Sequence, residues 1–213
     1  MSSEFILFDN DGTLYRIGED FRAAVIEKML RYISRYLGIT EEQATKERKR
    51  LIKKYNVEST EFVFGLEYGM PYEDFVNNTY LTIGLESHGI QHDRRLYTML
   101  HRAAQKKSVL TNNPSEFALK ILKVLGVDDV FEHIIGSREL CFFLKPDIKA
   151  FEIALNMTGY APEQTFFIDD VKENMSPAKS FGMKTALVGA SHSHADYTLR
   201  TIYDLGKLLE ECA

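Results

Sequence analysis

The chain has 213 residues, of which 45% are hydrophobic and 27% charged, so it is long enough to bury one substantial core with a modest insert. Its formal net charge of −5, without a sustained basic run, argues against a nucleic-acid polymer as partner. The sequence lacks an apolar run of membrane-spanning length and a recognisable signal peptide, and Cys141 and Cys212 give no disulfide framework, so a cytoplasmic protein is expected.

The first predicted element is a short buried strand at residues 5 to 8, followed at once by two carboxylates and a glycine. Residues two apart in an extended backbone point to the same side, so Asp9 and Asp11 are expected to face one pocket at the carboxyl end of this strand. Crowded carboxylates repel, and a shared proton or a hard divalent cation relieves the repulsion. Read alone, the segment also fits an Asx turn with two solvated aspartates.

Helical signals dominate the next part of the chain. Apolar residues recur at helical spacing up to Gly38, a charged periodic run follows at residues 41 to 53, and Pro71 can open a segment through Tyr80. We therefore predict a helical domain at residues 16 to 90, inserted after the first strand of a core made of residues 1 to 15 and 91 to 213.

A second strand is predicted to end just before Thr111, after a helix that Asp93 can open. Asn113 is expected to cap another helix, with Pro114 in the first helical position and Glu116 completing a capping box. Thr111 would then lie at a strand tip beside a helix amino end, where a hydroxyl and backbone amides can hold an anion. A simple turn threonine is an equally good interpretation of this segment alone.

Lys145 lies immediately before a proline and just ahead of a periodic run that predicts a helix. The proline biases the lysine backbone to extended geometry, so its side chain is expected to project from a loop. A lone lysine is usually a solvated surface charge. Beside a phosphate, however, it would be a compact cation that neutralises developing charge.

A further buried strand is predicted at residues 165 to 168, ending in the paired acids Asp169 and Asp170. Adjacent side chains on a strand alternate in direction, so one acid is expected to act directly while the other supports it. Asn174 lies four residues past Asp170, a spacing that returns its amide to the same side of a starting helix.

The rest of the chain repeats strand and helix signals, with strands predicted at residues 134 to 136 and 184 to 188 and a final helix at residues 202 to 209. Such repetition predicts an α/β fold with a mostly parallel, doubly wound sheet covered on both faces. Open sheets of this kind bind ligands at the carboxyl ends of their strands, where the four polar segments lie.

Taken in order, these four segments resemble the motifs of the haloacid dehalogenase superfamily: Asp-x-Asp, then threonine, then lysine, then a paired acid. The resemblance spans nearly the whole chain and implies a Rossmann-like core with a small helical cap domain inserted after the first strand. The acid two residues after the first aspartate distinguishes this chain from the dehalogenases that name the superfamily. That acid points to phosphate chemistry.

The resemblance implies a role for each motif residue. It implies that Asp9 is the catalytic nucleophile and Asp11 the general acid and base. It also implies that Thr111 hydrogen-bonds the phosphoryl group and that Lys145 stabilises its charge during catalysis. It implies substrate binding by Thr111, Asn112 and Lys145. It implies Mg²⁺ as cofactor, held by Asp9, the backbone carbonyl of Asp11 and Asp170, with Asp169 and Asn174 in support.

The implied activity is magnesium-dependent phosphomonoester hydrolysis through an aspartyl phosphate, on a small phosphorylated metabolite. The residues around the motifs, among them Leu14, Tyr15 and the stretch 110 to 114, are most similar to pyrimidine 5′-nucleotidase-like phosphatases. A phosphoglycolate or sugar-phosphate phosphatase, a β-phosphoglucomutase-like phosphomutase and a binding module without catalysis remain as alternatives. Four aromatic residues of the predicted cap can stack a base, although the usual burial of aromatics favours cap core: Phe62, Phe64, Tyr68 and Tyr72.

Overall fold

A six-stranded sheet organises the computed structural model of the chain, which describes residues 3–189 and 194–211. In chain order its strands are β1 (Phe5–Phe8), β2 (Lys106–Leu110), β3 (His133–Ile135), β4 (Thr165–Asp169), β5 (Lys184–Val188) and β6 (Tyr197–Leu199). All neighbours pair in parallel, in the spatial order β3-β2-β1-β4-β5-β6. The predicted doubly wound α/β sheet is confirmed.

The strand order reverses at β1, which places the candidate site. β1 is flanked by β2 on one side and β4 on the other, with Phe8 in register with Val109 and Ile168. All four β1 residues are fully buried, as expected for a central parallel strand covered on both faces. The carboxyl ends of β1, β2 and β4 therefore meet at a topological switch point, where such sheets form a crevice.

The helices divide between two compact units, one comprising Met1–Arg16 with Ile90–Ala213 and the other Ile17–Gly89. The helices of the second unit are α1 (Glu19–Leu37), α2 (Glu41–Tyr55), α3 (Thr60–Tyr68) and α4 (Tyr72–Asn78). Those of the first unit are α5 (Arg94–Arg102), α6 (Ser115–Leu125), α7 (Ile148–Thr158), α8 (Met175–Ser180) and α9 (Leu205–Glu211). The assignment of residues 16 to 90 as a cap over the site stays a prediction.

Within the first unit, side chains from the sheet pack against α7 and α8. Phe151 of α7 meets Phe167 of β4 edge to face, with ring centroids 5.1 Å apart. Leu7, Leu110 and Phe167 come from three neighbouring strands and belong to the same buried cluster. This packing holds the strand ends that carry the polar motifs.

The helix after β2 differs from the sequence prediction. α6 begins at Ser115, and Pro114 occupies the capping position without a side-chain hydrogen bond. Asn113 was expected to cap this helix with Glu116, but its side-chain amide donates to Asp11 instead. That prediction was wrong because a partner 102 residues away in sequence takes the amide.

Two other predicted segments are shorter or tighter than expected. The segment opened by Pro71 stays helical only to Asn78, and a single 3₁₀ turn follows at Tyr80–Thr82. The final helix begins with the 3₁₀ turn Ile202–Asp204 before α9. Strand β6 was not predicted, since three residues are too few for an alternating pattern.

Among the described residues, no helix combines the length and the apolarity that crossing a membrane would require. Cys141 is exposed and has a free thiol, while Cys212 lies outside the described residues. In the second unit, Phe64 is fully buried core and the Tyr68 hydroxyl binds Glu47 on the surface.

Candidate active site at the carboxyl ends of β1, β2 and β4

Lys145 lies at the centre of the polar site. Its ammonium donates to Asp9 Oδ1 at 2.7 Å, to Asp169 Oδ2 at 2.7 Å and to the backbone oxygen of Leu110 at 2.8 Å. These three bonds use all three ammonium protons, and the lysine side chain is only 2% exposed. One buried cation thus connects the ends of β1, β2 and β4.

Burial and the charges of this cluster shift the pKa values of Lys145 and Asp9. Burial disfavours the charged form of Lys145, but attraction to Asp169 and Asp9 and the hydrogen bonds to both carboxylates outweigh it and raise its pKa. Burial, with added repulsion from Asp169 and Asp11, raises the pKa of the Asp9 carboxyl well above its usual value, while Lys145 opposes this rise. Further positive charge beside Asp9 would favour its ionised form.

Asp11 is held by donors from two segments of the chain. Its Oδ2 accepts from the Thr111 hydroxyl at 3.0 Å and from the Asn113 amide at 3.1 Å, and its Oδ1 accepts from the Tyr15 hydroxyl. The Thr111 hydroxyl in turn accepts from the backbone N–H of Asn113 at 3.1 Å. The structure therefore brings predicted residues Asp11 and Thr111 into direct contact.

The glycine of the first motif lies against the acid at the end of β4. Gly12 has φ +95°, and a Cβ atom there would come within 2.2 Å of Asp170 Oδ2. The Thr13 hydroxyl lies 3.5 Å from Asp170 Oδ1. Absence of a side chain at residue 12 thus lets Asp170 approach the loop that carries Asp9 and Asp11.

Two asparagines fix the supporting segments. The side chain of Asn112 bonds the backbone of Lys145 twice, accepting from its N–H and donating to its carbonyl, both at 2.8 Å. Asn174 donates to Asp169 Oδ2 at 2.8 Å, and the N–H of Val171 donates to Asp169 Oδ1 at 2.7 Å. Asn174 therefore supports Asp169, whereas the predicted substrate contact of Asn112 stays a prediction.

Three carboxylates are placed where they can hold a cation. Ligand oxygens of Asp9, Asp169 and Asp170 lie within 4.8 Å of one another. Asp9 Oδ2 is buried and has no hydrogen-bond partner within the described part of the chain, whereas both oxygens of Asp169 accept bonds. A buried carboxylate oxygen without a donor and a hard oxygen donor set suit a divalent cation such as Mg²⁺.

Sequence reasoning missed two side chains that contact Asp11. Tyr15 follows Asp11 by four residues in the same loop, but its hydroxyl contact depends on how that loop turns. Asn113 was noticed only as a helix cap. The signal that could have identified both is that a carboxylate turned into a buried site needs several donors.

Known proteins share sequence and fold similarity with the part of the chain that carries this site. The sequence model of the haloacid dehalogenase-like hydrolase family matches residues 6–188, which include all the residues of the candidate active site. A Thermococcus onnurineus protein described as an HAD phosphatase has the same fold, with a TM-score of 0.62, 23% identity and 98% of each chain covered.

The chain spans just over half the length of two curated relatives that it matches. Phosphate metabolism protein 8 of Saccharomyces cerevisiae is 29% identical over 83% of this chain, which spans 58% of that protein. Pyrophosphatase PpaX of Halalkalibacterium halodurans is 31% identical over 50% of this chain, which spans 53% of it. A phosphoglycolate phosphatase of Pseudomonas fluorescens is 25% identical, over 89% of this chain and 70% of its own length.

Proposed function

Because this chain belongs to the haloacid dehalogenase-like hydrolases, we propose that it hydrolyses a small phosphomonoester with Asp9 as nucleophile. The observation that carries the proposal is the Lys145 ammonium joining Asp9 to Asp169 at the switch point, with Asp11 two residues after Asp9. A nucleophilic carboxylate, a second acid and a buried cation are the groups that phosphoryl transfer through an aspartyl phosphate requires.

In the first step Asp9 attacks phosphorus while Asp11 protonates the leaving oxygen, so the P–O bond to the alcohol breaks and an aspartyl phosphate forms. In the second step Asp11 takes a proton from water, and the hydroxide equivalent displaces Asp9 from phosphorus. Lys145 keeps Asp9 Oδ1 in place, which leaves Oδ2 for new contacts. Inorganic phosphate and the alcohol are the products.

Thr111 connects substrate binding to Asp11 in this scheme. Its hydroxyl has one proton, which it donates to Asp11. A phosphoryl oxygen that accepts from Thr111 therefore removes one of the donors that hold Asp11. The general acid gains freedom to turn when the substrate is bound, and Asn113 and Tyr15 remain to hold it.

We place Mg²⁺ at Asp9, Asp170 and the backbone carbonyl of Asp11, with Asp169 and Asn174 supporting. When bound, the ion supplies positive charge that favours ionised Asp9 and offsets the charge of the phosphoryl oxygens. The orphaned Asp9 Oδ2 supports this placement.

The identity of the substrate is a separate part of the proposal. Motif similarity favours a pyrimidine nucleoside 5′-monophosphate, while the phosphoglycolate phosphatase of Pseudomonas fluorescens among the relatives supports phosphoglycolate as the second candidate. Residues 16–90 act in this proposal as a cap that selects the leaving group. In a nucleotidase, Tyr72→Ala should raise KM for the nucleotide and leave KM for p-nitrophenyl phosphate unchanged.

Phosphate release tests the proposal directly. The panel contains UMP, CMP, dUMP, AMP, phosphoglycolate and hexose phosphates, each with Mg²⁺ or with EDTA. We expect magnesium-dependent release that Asp9→Asn abolishes in a folded protein. Preference for UMP or CMP supports the nucleotidase, whereas preference for phosphoglycolate keeps the mechanism and replaces the substrate. Full magnesium-dependent turnover in the Asp9→Asn variant contradicts the assignment of the nucleophile.

A further inference from the structure

A cavity of about 800 Å³ lies in the first unit away from the catalytic groups. It is bounded by α5, by the segment 103–105 that leads into β2, and by α9. Gln105 lines it and immediately precedes β2, whereas Thr111 of the candidate active site follows the other end of that strand. Five strand residues, roughly 17 Å, separate the two places.

The cavity is strongly basic in a protein of net charge −5. Arg94, Arg95 and Arg102 of α5 and Lys207 of α9 line it, and Glu210 is the acidic residue among the described part of its lining. Arg95 lies over the ring of Tyr203 at 4.2 Å. Within residues 3–189 and 194–211, Arg94 and Arg102 form no ion pair, so their charges are available to a ligand.

The position of two of these arginines opposes the ordinary preference of a helix. The first turn of α5 contains Arg94 and Arg95 and no acid, although the positive end of the helix dipole favours acids there. Asp93 compensates locally by accepting from the N–H groups of Arg95 and Leu96. A local electrostatic cost beside a cavity is typical of a binding role.

The spacing of the unpaired charges limits the ligand. Arg94 and Arg102 lie eight residues apart on α5, which is about 12 Å along the helix axis. A molecule with one small anionic group reaches both only if the two side chains fold towards each other. A molecule with an anionic group at each end meets both arginines in extended conformations.

The space between the charges suits a carbon skeleton. Met99, Ala103 and Leu209 give the cavity an apolar lining between the two helices. Gln105 also lines the cavity, and its Oε1 is buried without a hydrogen-bond partner in the described ranges. The volume falls in the range of sites for small metabolites and cofactors.

We propose that this cavity is a second ligand site, which binds an organic bisphosphate: two phosphoryl groups joined by a carbon skeleton. Arg94 and Arg102 bind one phosphoryl group each, and Lys207 adds positive charge from α9. Guanidinium groups suit this role because they bind phosphate oxygens in pairs. The inference does not depend on the hydrolase activity.

Phosphonates test the proposal, because their C–P bonds resist a phosphatase. Hexane-1,6-diylbisphosphonate and hexylphosphonate share the same chain and differ in the second anionic group. The full chain is titrated with each in EDTA, and amide NMR shifts report the location. We expect the bisphosphonate to bind about tenfold tighter or better, with shifts at residues 98–105 and 206–209. Equal affinities, or shifts confined to residues 9–13, overturn the proposal.

Charge variants separate specific binding from general attraction. Arg94→Gln and Arg102→Gln should each weaken the bisphosphonate about five- to tenfold and change hexylphosphonate less. Lys123→Gln, which removes one exposed charge from α6 of the same unit, should change neither affinity. If both arginine variants bind the bisphosphonate with the same affinity as Lys123→Gln, the proposed site with one arginine for each phosphoryl group does not exist.

A steric pair tests the cavity without changing charge. Gly206 lines it, and a Cβ atom at this position would lie 3.8 Å from Met99 Cγ, an ordinary contact. Gly206→Ala should therefore bind the bisphosphonate like the natural chain, while Gly206→Leu should fill the space and weaken binding at least tenfold. Unchanged affinity in a folded Gly206→Leu protein would place the ligand elsewhere.

Discussion

At the scale of single residues, Lys145 shows how a buried charge is tolerated. Its ammonium meets two carboxylates and one backbone carbonyl, so none of its protons lacks an acceptor. The same bonds reduce the repulsion between Asp9 and Asp169. Removing the ammonium would leave two buried acids facing each other without a cation between them.

Lys145→Met should therefore destabilise the protein as well as inactivate it. We expect the free energy of unfolding to fall by about 3–5 kcal/mol, because one partner of a buried charged cluster is lost. Urea unfolding measures this value. Lys172→Met, at an exposed lysine whose nearest acid is 3.9 Å away, should change it by less than about 0.5 kcal/mol and serves as control.

Tyr15→Phe tests whether the contact with Asp11 positions the general acid. The ring is kept and only the hydroxyl that donates to Asp11 is removed. Loss of one hydrogen bond to a carboxylate should lower kcat roughly tenfold and leave KM within about twofold. Steady-state kinetics on the preferred phosphomonoester gives both values. An unchanged kcat would show that Thr111 and Asn113 suffice.

The site residues differ in how far sequence alone could place them. Asp9, Asp11, Lys145 and Asp170 were predicted because each follows or precedes a recognisable local pattern. The contact from Asn113 to Asp11 was not, since it depends on two loops 102 residues apart meeting at the sheet edge. Local spacing gives candidates, while hydrogen-bond partners depend on tertiary structure.

At the scale of elements, the amino end of α5 is hydrogen-bonded to the turn that precedes α9. Asp93 caps α5 with one carboxylate oxygen, and its other oxygen accepts from the Tyr203 hydroxyl of the turn before α9. Burial, together with the hydrogen bond and the charge of Asp93, raises the pKa of Tyr203 from 10.0 to about 12. The protonated phenol is thus favoured in the folded state.

This shift predicts a pH dependence of stability. Because the folded pKa of Tyr203 exceeds the unfolded one, its contribution is fully present below pH 10 and is lost as pH rises towards 12. The free energy of unfolding should fall over that interval less steeply in Tyr203→Phe than in the natural chain. Denaturant unfolding at several pH values measures the slopes, with Tyr97→Phe as a matched control. Identical slopes in all three proteins would contradict the prediction.

Elements were predictable where one local rule decided them. The continuous apolar runs of β1 and β4 and the capping aspartate of α5 were sufficient for their prediction. β6 has three residues and forms because β5 offers an edge, which no local pattern records.

At the scale of the whole molecule, folding brings together acids that repel one another. Asp9, Asp169 and Asp170 come from two strand ends 160 residues apart in the chain and converge within 4.8 Å. The unfolded chain has no such cluster. A cation that binds there therefore binds the folded state preferentially and stabilises it by mass action.

Mg²⁺ should accordingly raise the thermal midpoint of unfolding. At about 100 times its Kd the gain is about 2.7 kcal/mol, or roughly 5–10 °C for a chain of this size. Calorimetry with MgCl₂, compared with NaCl of equal ionic strength, measures it. Asp170→Asn should abolish the gain, while Asp20→Asn at an exposed site on α1 should keep it. The same rise in both variants would place the ion elsewhere.

The enclosure of Lys145 also bears on how the protein can be handled chemically. Acylation of a lysine requires an unprotonated amine with a lone pair that reaches the reagent, and this one is buried, triply bonded and held charged. Amine-reactive dyes and surface-immobilisation chemistries will therefore modify the exposed lysines first. The polar centre at the end of β1 should survive such conjugation intact.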